Sequence, residues 1–238
     1  CAVLGIGITY PLQCDVRFVA ASSRGLADLV VQIKPEHTRL LYLEDCNILV
    51  TVSNNGSGVV VLDPKRGPGH AYLDFEVRSM EASTPQELTV SPVPAAASLA
   101  PGESHRFLID LSRCCALTTA CGYNVHAFVN WNKLRYESRL VNLDVVNGLP
   151  IKSVMHESPL SPQAIRTYSL TYLAREGREI LFLSVSEMPS ALNYGVFALG
   201  PVVRVFDPGL EVDGQGLVTV VHQISPRQYV RTLLQSMP

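Results

Sequence analysis

Alternation of apolar and polar residues with a period of two is the feature that most constrains how this chain of 238 residues folds. In YLDFEVRS, residues 72–79, Leu73, Phe75 and Val77 share one side, while the charged residues between them share the other. This pattern is typical of a β-strand with one face on a core and the other in water. The same alternation recurs in LADLVVQI, CNILVTVS, SHRFLIDL and RLVNLDVV, and no window carries a useful helical period. The sequence therefore predicts an all-β fold.

Turn-forming segments separate these strands, among them NNGSG, DPKRGPG and APGE, which are rich in the residues that tight turns require. TRLLYL, GVVVLD, QELTVS and GYNVHAFVNW add further strands, giving about nine short strands in the first 146 residues. Many short strands at regular spacing are typical of an antiparallel sandwich. We therefore predict a β-sandwich in the first part of the chain.

A proline-rich segment divides the chain. NGLPIKSVMHESPLSPQ, residues 147–163, interrupts the alternation and contains three prolines, so we predict a linker over 147–166. Strand-like text then resumes in TYSLTYL, EILFLSVS, YGVFALG, VVRVFD, LVTVVHQI and QYVRTLL. The predicted domains are an N-terminal apolar segment at 1–25, a sandwich at 26–146, the linker, and a second, smaller β domain at 167–238.

The segment before the linker carries the most specific fold signal. In CGYNVHAFVNW, residues 121–131, a tyrosine enters an alternating strand, and LAPGE precedes it by about twenty residues. This combination resembles immunoglobulin-like accessory domains of extracytoplasmic bacterial proteins, over residues 26–146. The resemblance implies an immunoglobulin-like antiparallel β-sandwich in which Tyr123 is the tyrosine-corner residue, its hydroxyl bonded to the preceding loop. Val125 stands where antibody domains keep a cysteine, and Trp131 lies too late to be their core tryptophan, so antibody-type function is not implied.

Three of the six cysteines lie within eight positions, in LSRCCALTTACGYNV. A structural zinc site needs four ligands, usually with Cys-x2-4-Cys spacing, and a redox pair needs Cys-x-x-Cys. Because the segment has neither spacing, we predict a local disulfide from Cys114 or Cys115 to Cys121; reduced, buried thiols are the alternative. Cys14 and Cys46 are candidates for a second bridge.

The first fourteen residues, CAVLGIGITYPLQC, contain neither a charge nor an initiator methionine. One interpretation makes Cys1 the lipid-bearing first residue of a mature bacterial lipoprotein, and the other is an arbitrary chain start. A bilayer span needs about 18 or more apolar residues, so we predict contact with a membrane only through a lipid on Cys1. The cysteine count and the low charge together predict an extracytoplasmic protein, located in the periplasm, on the cell surface or secreted.

The charge balance excludes one class of partner. Charged residues make up 17% of the chain and the formal net charge is -2. No basic field is therefore available to attract a phosphate backbone, and we predict no nucleic-acid partner.

Motifs for catalysis are absent from the sequence. The six histidines are isolated, no Gly-x-Ser-x-Gly elbow occurs, and no glycine-rich phosphate loop precedes a helix. We predict no catalytic residue, no cofactor and no enzyme. We also predict no metal, with one weak calcium candidate formed by Asp207, Glu211 and Asp213 in FDPGLEVDGQG. A tight hairpin at DGQG explains the same residues equally simply.

The resulting hypothesis is a non-catalytic extracytoplasmic interaction, adhesion or structural protein built from tandem β domains. Its partner is a protein or a glycan, and homo-oligomerisation is left open. One alternative is an accessory or carbohydrate-binding part of a secreted enzyme. The other is an immunoglobulin-like proteinase inhibitor, with DPKRGPGH, residues 63–70, as its protruding loop.

Overall fold

A computed structural model describes residues 29–65, 69–81, 85–86, 88–93, 95–115, 117–158 and 161–235. These residues form β-strands, turns and one short 3-10 helix at Leu111–Arg113, which confirms the predicted all-β class. Within the same residues no helix is long and apolar enough to cross a bilayer.

The first ten strands form an antiparallel sandwich of two main sheets, with β2 parallel to β10 as the exception. One sheet has the order β1-β3-β7; the other has the order β2-β10-β8-β5, with β9 on β8. This is the strand arrangement of an immunoglobulin-like sandwich. A small β4-β6 pair lies beside the two sheets. The strands are β1 Leu29–Pro35, β2 Arg39–Leu41, β3 Asn47–Asn54, β4 Val60–Leu62, β5 Tyr72–Ser79, β6 Ala97–Leu99, β7 Ser104–Asp110, β8 Gly122–Trp131, β9 Leu134–Glu137 and β10 Val141–Val146.

The core of this sandwich is built from the alternating residues that the sequence pattern identifies. Side chains at every second position of β3, β5 and β8 are buried between the two sheets, so each strand contributes one apolar face. These core residues include Ile48, Val50, Val52, Leu73, Phe75, Val77, Tyr123, Val125, Ala127 and Val129.

The remaining strands form a second, smaller β domain. A four-stranded sheet, β11-β12-β13-β14, packs on a three-stranded sheet, β15-β16-β17, through a core that includes Tyr168, Leu170, Leu183, Val218 and Val220. The strands are β11 Leu149–Ser158, β12 Ser161–Arg175, β13 Arg178–Met188, β14 Leu192–Pro201, β15 Gly209–Val212, β16 Leu217–Ser225 and β17 Gln228–Gln235.

The segment predicted as a linker, 147–166, is largely strand. It contains all of β11 and the beginning of β12, which pair with each other. Pro150 and Pro162 stand near the beginnings of these strands, and proline is tolerated there because a missing N–H breaks few ladder bonds. Proline content alone was therefore a poor guide to a linker. The division into domains at this point remains a prediction.

The two domains share a buried contact. Leu41 of β2 packs against Leu173 and Phe182, which lie on the face of the four-stranded sheet opposite to β15-β16-β17. Beside them, Arg175 Nη2 lies 2.5 Å from Glu44 Oε2, and both side chains are nearly buried. The backbone N–H of Leu41 donates to the same carboxylate oxygen at 2.8 Å. Apolar packing and a buried ion pair thus hold the domains together.

Candidate functional site

The cysteine cluster is a packed group of thiols. Cys46, Cys114, Cys115 and Cys121 are free, so the predicted disulfide from Cys114 or Cys115 to Cys121 is not formed. The cause is local geometry: the turn after the 3-10 helix directs the Cys115 thiol to the Leu111 carbonyl, at 3.6 Å. Cys121 Sγ instead lies 3.2 Å from the hydroxyl of Ser79.

Two of these thiols have low reactivity. Burial raises the pKa of Cys46 to about 12, and the neighbouring Cys115 and Asp110 add to the rise. Burial also raises the pKa of Cys115 to about 12, with Cys114 adding to it. Because the thiolate is the reactive form, both groups act as small apolar side chains at neutral pH. The candidate bridge from Cys14 and the lipid anchor on Cys1 involve residues outside the described part of the chain.

Tyr123 fixes the loop that precedes β8. Its ring is buried in the first domain, its hydroxyl donates to the Thr119 carbonyl at 2.9 Å, and the Thr119 N–H donates to the same hydroxyl at 3.1 Å. This is the contact of a tyrosine corner, in which one side chain satisfies both backbone groups of a loop residue.

Replacing Tyr123 with phenylalanine is expected to lower the free energy of unfolding by about 1–2 kcal/mol, because the Thr119 N–H and carbonyl lose their partner. Urea denaturation followed by circular dichroism measures the change. Tyr229→Phe is the matched control, since that tyrosine is exposed on β17. A loss below about 0.3 kcal/mol in Tyr123→Phe would show that the hydroxyl contributes little to stability.

The calcium candidate does not assemble. No group of three His, Cys, Asp or Glu side chains in the described residues is arranged to hold a metal ion. Asp213 Oδ1 accepts the backbone N–H groups of Gln215 and Leu217, each at 2.9 Å. This carboxylate therefore holds the hairpin turn between β15 and β16, and it is not directed towards Asp207 or Glu211.

The loop proposed for proteinase inhibition is held at its base. Asp63 accepts the N–H of Lys65 at 2.7 Å and lies 3.0 Å from Nδ1 of His70. The tip, residues 66–68, lies outside the described residues.

A groove of about 470 Å³ lies between β5 and residues 85–86 and 88–92, with Phe128 of β8 in its lining. Burial alone raises the pKa of Glu76 in its wall, but hydrogen bonds from Arg135 and Arg78 outweigh this and lower the pKa overall. Arg135 also stacks over the Phe128 ring, with its guanidinium carbon 3.6 Å from the ring centroid. The Glu76 carboxylate and the Phe128 ring of the groove are thus already in contact with arginine side chains.

The second cavity lies inside the second domain and has a volume of about 150 Å³. It lies between the two sheets and is bounded on one side by β14 and β17, the edge strand of each sheet. Its lining is mainly apolar and consists of Arg166, Tyr168, Leu183, Val185, Tyr194, Phe197, Val218, Leu234 and Gln235.

The one charged side chain in this lining is neutralised by an acid. Arg166 Nη2 lies 3.4 Å from Glu187 Oε2, and both side chains are buried. Glu187 also accepts hydrogen bonds from the hydroxyls of Ser158, at 2.6 Å, and Tyr194, at 2.9 Å. The cavity therefore presents a neutral surface, which suits an uncharged apolar group.

Exposed apolar side chains of β14 border this cavity at the surface. Leu192, Tyr194 and Phe197 are 52%, 39% and 41% exposed, and Tyr194 and Phe197 also line the cavity. The sequence pattern predicts these strands but not this site. The signal was present as a ten-residue strand, LNYGVFALGP, that contains no charged residue. We refer to the side of the second domain formed by β14, β17 and the cavity between them as the open side.

A buried histidine lies in the second domain. His222 of β16 is 1% exposed. Burial lowers its pKa below the ordinary value of 6.5, and the carbonyl of Pro201 opposes this effect in part. The folded chain binds a proton on His222 less tightly than the unfolded chain does. Acid therefore favours unfolding once the pH falls below the pKa of His222 in the unfolded chain.

The stability of the wild-type protein is therefore expected to decrease between about pH 7 and pH 5, with this one group contributing at most about 1.4 kcal/mol per pH unit. His222→Gln is expected to flatten this part of the profile, as measured by urea denaturation at each pH. His156→Gln, at a partly exposed position on β11, should keep the wild-type slope. Equal slopes in the wild type and His222→Gln would contradict the assignment.

Comparisons with known proteins give no family. No family model matches the sequence, and no curated protein matches it. Three solved structures show weak likeness, each at 12% identity. They are the sporulation control protein Spo0M from Bacillus subtilis (TM-score 0.32, covering 87% of this chain and 89% of that one), a chaperone-tip adhesion subunit pre-assembly complex, CsuC-CsuE, from Csu pili of Acinetobacter baumannii (0.27, 88% and 100%), and the periplasmic chaperone SfaE (0.24, 84% and 98%). Likeness at this level carries no argument about function.

Proposed function

We propose that this chain is a non-catalytic, extracytoplasmic interaction protein built from two tandem β domains, and that it binds other proteins at the open side of the second domain. The observation that carries the proposal is the neutral cavity of about 150 Å³ between two edge strands, with exposed apolar side chains around it. Contiguous apolar surface of this kind marks interaction sites on soluble proteins.

The geometry suits an extended segment of a partner protein. Edge strands present unpaired backbone N–H and carbonyl groups, and an added strand satisfies them while its side chains enter neighbouring pockets. A cavity of this size has room for one aliphatic or aromatic side chain, which is the kind of anchor that dominates binding energy at protein interfaces.

The proposed compartment rests on composition. Six cysteines and a charged fraction of 17% favour a periplasmic, surface or secreted protein. Glycan binding has less support, because the carboxylate of Glu76 in the groove is paired with arginines.

Selection from a displayed library of random dodecapeptides tests the proposed function. Selected peptides are expected to be apolar and uncharged, and to bind the wild type and Met155→Lys but not Leu192→Lys. Met155 is the matched control because it is exposed on β11, the opposite edge of the same sheet. Peptides that bind all three proteins equally would place the interaction elsewhere.

A further inference from the structure

We propose that the partner of β14 is the β14 strand of a second copy of this chain. The two strands pair antiparallel about a two-fold axis and join two four-stranded sheets into one sheet of eight strands. The inference rests on the proposed function, because it names the occupant of the same side of the molecule.

The absence of charge distinguishes β14 from the other edge strands. Charged side chains on edge strands are a common protection against pairing with another chain. Among the edge strands of four or more residues in the described part, β14 is the one without a charged residue. Each of the others carries at least one: Lys34 in β1, Asp74 in β5, Arg106 in β7, Arg135 in β9, Lys152 in β11, Glu211 in β15 and Arg231 in β17. The β14 edge is thus the least protected by charge.

A neutral edge is complementary to itself. In a two-fold symmetric contact the same surface patch meets its own copy, so a charged residue near the axis would meet a like charge. No such repulsion arises along β14, and the formal net charge of -2 opposes association only weakly. Pairing through β14 leaves β11, with Lys152 and Glu157, as the outer edge at both ends of the joined sheet. Further addition is disfavoured there, so the assembly closes as a dimer.

Two bulges limit the register of this pairing. The ladder between β13 and β14 shifts on either side of the stretch from Gly195 to Ala198, which pairs one to one with β13. Gly195 has φ +138° and Gly200 has φ +109°, which are values that glycine adopts readily. Bulges twist an edge away from a neighbour. They therefore favour a register centred on this stretch over an open-ended ladder.

Burial of apolar surface adds to the backbone pairing. Leu192, Tyr194 and Phe197 are exposed along the same strand, and Phe197 also lines the cavity. A paired second copy covers these side chains and removes them from water. In a monomer the same residues would form a persistent site for aggregation.

Sedimentation velocity on the full chain, from about 1 to 200 μM, tests the inference. The wild type is expected to sediment as a dimer. Leu192→Lys should raise the dimer dissociation constant about tenfold or more, and Leu192→Lys/Phe197→Lys should give a monomer. The control Met155→Lys should remain dimeric. Since Phe197 lines the cavity, unchanged circular dichroism must accompany any loss of the dimer, and Leu192→Lys alone suffices if the double variant fails to fold.

The outcomes separate this inference from the proposed function. A wild type that stays monomeric at 200 μM overturns self-pairing, as does a dimer that Met155→Lys dissociates and Leu192→Lys does not. If the wild type is monomeric but selected peptides bind at β14, the proposed function stands and the partner is another protein. A dimer lost in Leu192→Lys, with no peptide binding, supports self-pairing and argues against a second protein at this edge.

Discussion

Replacing Arg175 with methionine is expected to lower the free energy of unfolding by about 3–5 kcal/mol, because the Glu44 carboxylate then stays buried without its cation. The two groups lie 2.5 Å apart at the contact between the domains, with side chains 7% and 11% exposed. Methionine keeps most of the side-chain volume, so the loss reflects mainly the missing charge. Urea denaturation gives the difference.

Two further variants check the cause of this loss. Arg175→Met/Glu44→Gln should recover part of the lost stability, because it removes the unpaired charge as well as its partner. Arg113→Met is the control, since the Arg113 side chain is 81% exposed where it pairs with Asp110, and the change should cost at most about 1 kcal/mol. Equal losses at Arg175 and Arg113 would show that burial of the first pair is unimportant.

Gly148→Val is expected to cost about 3 kcal/mol, since it combines a strained backbone with overpacking. Gly148 has φ +68° between the two domains. A Cβ atom there would lie 2.6 Å from Thr171 Cγ2, 2.7 Å from Leu41 Cδ1 and 2.8 Å from the Tyr172 carbonyl oxygen. The variant therefore needs both a disfavoured conformation and a displacement of the domains.

Gly177→Val separates these two effects. Gly177 has a similar φ of +75°, but nothing lies within 4 Å of its Cβ position. This variant should lower the free energy of unfolding by about 1–2 kcal/mol, which is the cost of the disfavoured backbone conformation alone. Thermal unfolding of both variants measures the difference. If Gly148→Val lowers the stability no more than Gly177→Val does, the atoms close to Gly148 can move aside without a cost in free energy.

The sequence allowed most of the strands to be predicted because their signal is local, although QELTVS and VVRVFD are not strands in the described residues. Alternation in YLDFEVRS and SHRFLIDL reflects side chains on opposite faces of one strand, and the structure places β5 and β7 on those residues. The linker at 147–166 was predicted from its prolines, but most of this segment is strand, because proline composition does not distinguish a loop from the beginning of a strand. That distinction depends on which strand lies alongside.

The candidate site was harder to predict for the same reason. Cys114, Cys115 and Cys121 are close in sequence, but a disulfide depends on the directions of their Cβ bonds, which spacing does not determine. YGVFALG was identified as a strand, yet its position at the edge of a sheet follows from the order β11-β12-β13-β14. Whether a strand lies at an edge depends on pairing between distant segments of the chain. The absence of charge in β14 is informative only once the strand is known to lie at an edge.

The four-stranded sheet belongs to two cores at once. Phe182 packs towards Leu41 of the first domain, while its neighbour Leu183 packs towards the three-stranded sheet. Loss of this sheet would therefore remove one side of the second domain's core and one side of the contact between the domains in a single event. Heating should melt the two domains in one calorimetric transition, and a force applied at β14 should reach the first domain through a stiff connection.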